Sequence, residues 1–194
     1  MSKRIKINSK LKAENAEVIL IDNRITTKAD GQKCYFSDMI NFDLPKENEA
    51  IHYVTNRAFN AVEIIEKICK SEIIENGAIA VYSISEKAVK KIIELNKSKR
   101  LNNLSFLFST IRNANGAKEK QYNIIEQSGK FKIGYFYSHA KIMALQTRGG
   151  NYVVEMSCNL AHNSKVEHIT IFNDKKLLDF HCNTINNIIN LKHE

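Results

Sequence analysis

Residues 78–83 read Ala-Ile-Ala-Val-Tyr-Ser, a continuous apolar run. A strand with one wet face alternates apolar and polar side chains, whereas a strand covered on both faces does not, so this run predicts a doubly covered strand. The segments around it change period. Ala58, Phe59, Ala61, Val62, Ile64, Ile65, Ile68 and Cys69 fall at helical spacing up to about residue 75, with Asn56 or Asn60 as a start signal and Asn76-Gly77 as a stop. Ser85 offers a cap for a helix over 86–98 with Val89, Ile92, Ile93 and Leu95 inside. A strand over 104–109 follows, then a helix over 117–127 with Tyr122 and Ile125 inward, ended by Ser128-Gly129. Residues 166–171 alternate, and Asn173-Asp174 caps a last helix to about 191 whose inner face carries Leu177, Leu178, Phe180, Ile185, Ile188 and Ile189. Strands alternating with helices predict an α/β fold, a mixed β-sheet with helices on both faces.

The chain divides into a small β-rich N-terminal extension, residues 1–50, and a main domain, residues 51–194. The extension opens on a basic arm over 1–12, holds an expected buried strand at 18–21, a short strand between the turns at 22–23 and 29–32, an apolar segment at 34–36, and ends at Pro45. Four cysteines, Cys34, Cys69, Cys158 and Cys182, are far apart with no C-x-x-C pair, which predicts a reducing, cytoplasmic setting and no disulfide framework. The spacing of Cys158, His162, His181 and Cys182 matches no usual ligand set, so no metal and no cofactor is expected. The apolar run at 18–21 is far too short for a membrane span, and no membrane partner is expected. Lys plus Arg number 29 against 21 for Asp plus Glu, a net charge of +8 that favours an anionic partner such as nucleic acid.

The chemistry concentrates in residues 137–160. His139 and Lys141 are two apart in an alternating stretch, 137–145, that reads as a strand and puts both on one face. After a turn-rich break at 147–151 and a β-branched run, Ser157 and Asn159 are again two apart. A hairpin presenting His, Lys, Ser and Asn together offers a nucleophile or base, a cation and two hydrogen-bonding groups, a set suited to phosphoryl chemistry.

These residues resemble the phospholipase D superfamily, whose signature is H-x-K-x4-D followed by G-S-x-N. His139, Lys141, Ser157 and Asn159 stand at its His, Lys, Ser and Asn, and Glu167 stands where that family keeps an acidic residue that orients its histidine. Gln146 replaces the Asp, Met156 replaces the Gly, and the turn between the halves is longer. The resemblance covers about residue 51 to the C-terminus and implies a phospholipase D-like fold. In that family two H-x-K motifs meet at one site, one His attacking phosphorus while the other protonates the leaving oxygen, and no metal is used. This chain holds one motif, so the resemblance implies a homodimer whose two copies of His139 take the two roles. Lys141 and Asn159 would hold the non-bridging oxygens, and Ser157 and Glu167 would orient the imidazole. An amide at 146 cannot balance lysine charge, so Gln146→Asp is expected to raise the rate. Arg112 and Arg148 are spare cations near the expected rim. With the basic charge, the resemblance implies a phosphodiesterase of nuclease type acting on nucleic acid, DNA ahead of RNA. The alternatives are a non-catalytic DNA- or RNA-binding protein on the same scaffold, and a hydrolase of lipid or small phosphodiesters.

Overall fold

In the computed structural model the described residues are 24–27, 43–56, 59–110, 119–163 and 166–191. The expected strand at 18–21, the apolar segment at 34–36, the basic arm and the loop at 112–116 with Arg112 lie outside them. The strands are β1 (Arg24–Thr27), β2 (Glu49–Asn56), β3 (Phe59–Asn60), β4 (Ile74–Val81), β5 (Leu101–Ser109), β6 (Lys132–Phe136), β7 (Ile142–Gln146), β8 (Asn151–Met156), β9 (His162–Asn163) and β10 (Val166–Asn173). The helices are α1 (Val62–Ser71), α2 (Glu86–Lys97), α3 (Glu119–Gln127) and α4 (Lys175–Asn190).

Eight strands form one mixed sheet in the order β1-β2-β10-β8-β7-β4-β5-β6. β4, β5 and β6 run parallel, while β2, β10, β8, β7 and β4 are joined by antiparallel pairings. The short strand expected between the turns at 22–23 and 29–32 is β1, which pairs parallel with β2 and extends this same sheet. β3 and β9 form a separate two-stranded ribbon.

The apolar run in β4 is covered on both faces. Ile79 and Val81 enter the large core shared with Ile65, Ile68, Val89, Ile92, Tyr122 and Ile125 of α1, α2 and α3. Ala78 and Ala80 face the other way, against Ile185 of α4. Small side chains on this second face let α4 lie close. Ala78, Ala80 and Ala144 line it, and a Cβ on Gly134 would come within 2.9 Å of Ile189 Cγ1 and 3.0 Å of Ile189 Cα. Caps fix the helix starts: Ser85 accepts from Ala88 N at 3.2 Å and Asp174 from Leu177 N at 2.9 Å. At the start of α1, Asn60 Oδ1 accepts from Val62 N at 3.2 Å.

Two local expectations are corrected. α1 stops at Ser71, and Asn76-Gly77 lies inside β4 rather than ending a helix. Gly77 is needed there for close strand approach, because a Cβ would stand 2.6 Å from the Ala144 carbonyl oxygen and 2.7 Å from Leu104. Phe180, expected on the inner face of the last helix, is 61% exposed, while His181 beside it is buried.

Candidate active site

β7 begins at Ile142, so residues 138–141 approach the sheet without belonging to it, and the expected strand over 137–145 is shortened. Ser138 competes with extended pairing by accepting the Ala140 N–H at 3.1 Å. The Lys141 carbonyl still anchors the segment by accepting from Met156 N at 3.1 Å. His139 and Lys141 meet nonetheless. The ammonium of Lys141 donates to the His139 carbonyl at 3.1 Å and lies 3.1 Å from Nδ1 of the same ring. The imidazole is exposed and leans on Tyr82, ring centroids 4.9 Å apart at 46°. An ammonium only donates, so Nδ1 is the acceptor in this contact.

β8 ends at Met156, and Ser157 and Asn159 beyond it are not neighbours on one strand face as expected. Ser157 crosses to β10: its N–H donates to the His168 carbonyl at 2.9 Å, and its Oγ accepts from His168 N at 2.9 Å. Its hydroxyl donates to the Glu167 carboxylate. Ser157 and Glu167, both expected to orient the imidazole, are thus bonded to each other, because β10 brings that carboxylate alongside. Asn159 turns the other way, its Oδ1 accepting from Ser83 N at 3.2 Å just past the end of β4. Ser85 N donates to the Leu160 carbonyl at 2.8 Å and continues that seam.

Cys158 lies buried between the two branches. Its thiol is pushed up to about 12, chiefly by burial, with the Glu167 carboxylate adding to the rise and Lys141 opposing it. Glu167 and Lys141 are therefore both within electrostatic reach of one sulfur. All five expected residues gather at one end of the sheet, around the carboxyl end of β4, where α/β sheets place ligands. An exposed imidazole, an ammonium and an amide there suit a transferable phosphoryl group.

Gln146 and Arg148 are not part of this end. Gln146 closes β7, five residues from Lys141 and about 16 Å along the chain. Its Oε1 accepts from Asn76 Nδ2 at 3.2 Å. Arg148 pairs with Glu75 at 3.0 Å in the same distant region. The expectation that a carboxylate at 146 would balance lysine charge at the site is corrected by this placement. The spacing missed Tyr82 and the Ser83 N–H, which contact His139 and Asn159 across the sheet. The available signal was the end of the apolar run at 82–83. Among the described residues no three His, Cys, Asp or Glu are grouped to hold a metal, and His181 instead bonds Glu155 at 3.0 Å. No helix among them is long and apolar enough to cross a membrane.

No family model and no curated protein sequence matches this chain. Solved structures do. NucT from Helicobacter pylori superposes over 73% of this chain and 96% of its own, with TM-score 0.50 and 14% identity. Polyphosphate kinase from Porphyromonas gingivalis matches over 71% of this chain with TM-score 0.52 and 9% identity. Phosphatidylserine synthase from Haemophilus influenzae matches over 73% with TM-score 0.51 and 12% identity. The chain spans only 26% of that kinase and 38% of that synthase. The fold is phospholipase D-like, as the motif residues led one to expect.

Proposed function

We propose that this chain is a metal-independent phosphodiesterase of the phospholipase D-like nuclease type, cleaving nucleic-acid phosphodiester bonds through a phosphohistidine on His139 in a homodimer. The observation that carries this reading is the His139–Lys141 pair, an exposed imidazole with an ammonium 3.1 Å from its Nδ1. A phosphate entering the site would draw Lys141 onto a non-bridging oxygen and release Nδ1. The ring proton can then sit on Nδ1, leaving the Nε2 lone pair to attack. An N–P bond forms as the P–O bond to the leaving alcohol breaks, and the second copy's His139 gives that oxygen its proton. Water then attacks phosphorus, the N–P bond breaks, and the second imidazole takes the proton from water. Asn159, fixed at the end of β4 by accepting from Ser83 N, brings an amide to the site, and an amide NH2 is a donor suited to a phosphate oxygen. Ser157 and Glu167 act as a positioning unit beside the ring. The net charge of +8 supports nucleic acid as the substrate.

One observation favours binding without cleavage as a second reading: among the described residues the His139 imidazole bonds a lysine rather than a carboxylate. Incubation with labelled single- and double-stranded DNA and RNA separates the two. The enzyme reading expects cleavage that survives EDTA, disappears in His139→Ala, and yields phosphohistidine at residue 139 when quenched without acid. Chelator-sensitive cleavage, or cleavage unchanged in His139→Ala, sinks it. Tight binding with no cleavage establishes the second reading.

A further inference from the structure

At the end of the sheet opposite His139, a cavity of about 410 Å³ opens between the strands and α4. Its floor is a row of amides from three adjacent strands, Asn103 of β5, Asn76 of β4 and Gln146 of β7, set opposite one another by the sheet register. Asn103 Nδ2 donates to Asn76 Oδ1 at 3.1 Å, and Asn76 Nδ2 donates to Gln146 Oε1 at 3.2 Å. Three amides carry six N–H groups, and the row uses two. Lys130 and Lys132 stand at the wall. Lys132 donates to Asn190 Oδ1 at 2.6 Å, which occupies one of its three N–H groups. Among the described residues neither lysine is paired with a carboxylate, and Asp179, which also lines the cavity, bonds Lys175 on its own helix. The position at which the resembled family carries an acid is Gln146, an amide.

We propose that this cavity is a second, non-catalytic site that binds the phosphate of a mononucleotide-sized ligand. Two ammonium groups not paired with a carboxylate and surplus amide donors select an anion with several acceptor oxygens. The volume exceeds what bare phosphate needs and suits a ligand of nucleotide size. The amide row supplies edge-on hydrogen bonds for a heterocycle beside that phosphate. The ligand is either a free mononucleotide or a phosphate of a nucleic-acid chain whose scissile bond lies elsewhere.

The test is a titration of 15N-labelled protein with inorganic phosphate, AMP and a short oligonucleotide, following the side-chain amide signals of Asn76, Asn103 and Gln146. These signals are expected to shift and saturate with AMP at lower concentration than with phosphate. The same shifts are expected in Lys141→Ala, which disables the first site. Lys130→Ala/Lys132→Ala, two exposed positions, should weaken binding about tenfold or more. Gln146→Glu, equal in size, should weaken it as well by adding a negative charge. A response to the oligonucleotide but not to AMP upholds the site and assigns its phosphate to a nucleic-acid chain. No shift with any of the three, or shifts unchanged by both sets of substitutions, overturns the proposal.

Discussion

The imidazole of His139 stands in water with Tyr82 against its ring, so its removal should cost the fold little. His139→Ala is expected to change unfolding stability by less than about 0.5 kcal/mol while abolishing cleavage, measured by thermal melts beside a nuclease assay. Asn159 is different because its oxygen also satisfies the Ser83 N–H. Asn159→Ala should lose activity and also destabilise by about 1 kcal/mol, the usual cost of orphaning a part-buried donor. Gln146→Asp loses the rate gain that the motif led one to expect. The position is about five strand residues, roughly 16 Å, from Lys141, and a carboxylate there should leave kcat within about twofold, checked by turnover on a fixed substrate. His139, Lys141, Ser157, Asn159 and Glu167 were legible because they carry a motif. Tyr82 was not, because its contact with His139 is made across the sheet and leaves no spacing to read.

At the scale of elements, legibility followed the capping signals. Ser85 and Asp174 stand at the starts of α2 and α4, where their side chains accept the orphan N–H groups. The start of β4 was misplaced for an equally physical reason: Ile73 and Ile74 continue the apolar spacing of α1, and Asn76-Gly77 imitates a helix stop. Only the packing against Ala144 and Leu104 reveals that Gly77 answers to a neighbouring strand. The same kind of contact governs α4, whose Ile189 lies over Gly134. Gly134→Ala must push against a backbone Cα 3.0 Å away, so α4 has to lift or tilt. The expected destabilisation is about 1–3 kcal/mol by urea unfolding, with the loss greater than for Ala substitution at an exposed helix position such as Lys176.

For the molecule as a whole, two outcomes follow from what is buried and what is charged. Burial holds three thiols protonated in the fold: Cys69 and Cys182 are pushed up to about 11 and Cys158 to about 12, from an ordinary value of 9.0. Above pH 9 the unfolded chain releases those protons while the folded chain keeps them, so folding binds the extra protons and weakens as pH rises. Unfolding midpoints should be flat with respect to these groups below pH 8 and fall from pH 9 toward 12, the slope easing in Cys158→Ala; a midpoint constant to pH 11 would contradict it. The last outcome joins charge to assembly. One H-x-K motif supplies one imidazole, so the proposed reaction needs a second copy facing the first, which crowds two ammonium groups and two imidazoles around one centre. Bound phosphate neutralises that crowding, and the dimer should therefore tighten when phosphate or substrate is added. Affinity for nucleic acid should fall steeply with salt, because releasing phosphate counterions gains less as bulk salt rises, and Lys141→Ala should weaken it alike for every sequence, since lysine on phosphate reads no base. Light scattering across a phosphate titration, paired with binding measured at several salt concentrations, checks both. A monomer at every phosphate concentration would remove the second imidazole and with it the two-histidine mechanism, whereas salt-insensitive binding would point to a small phosphodiester in place of nucleic acid.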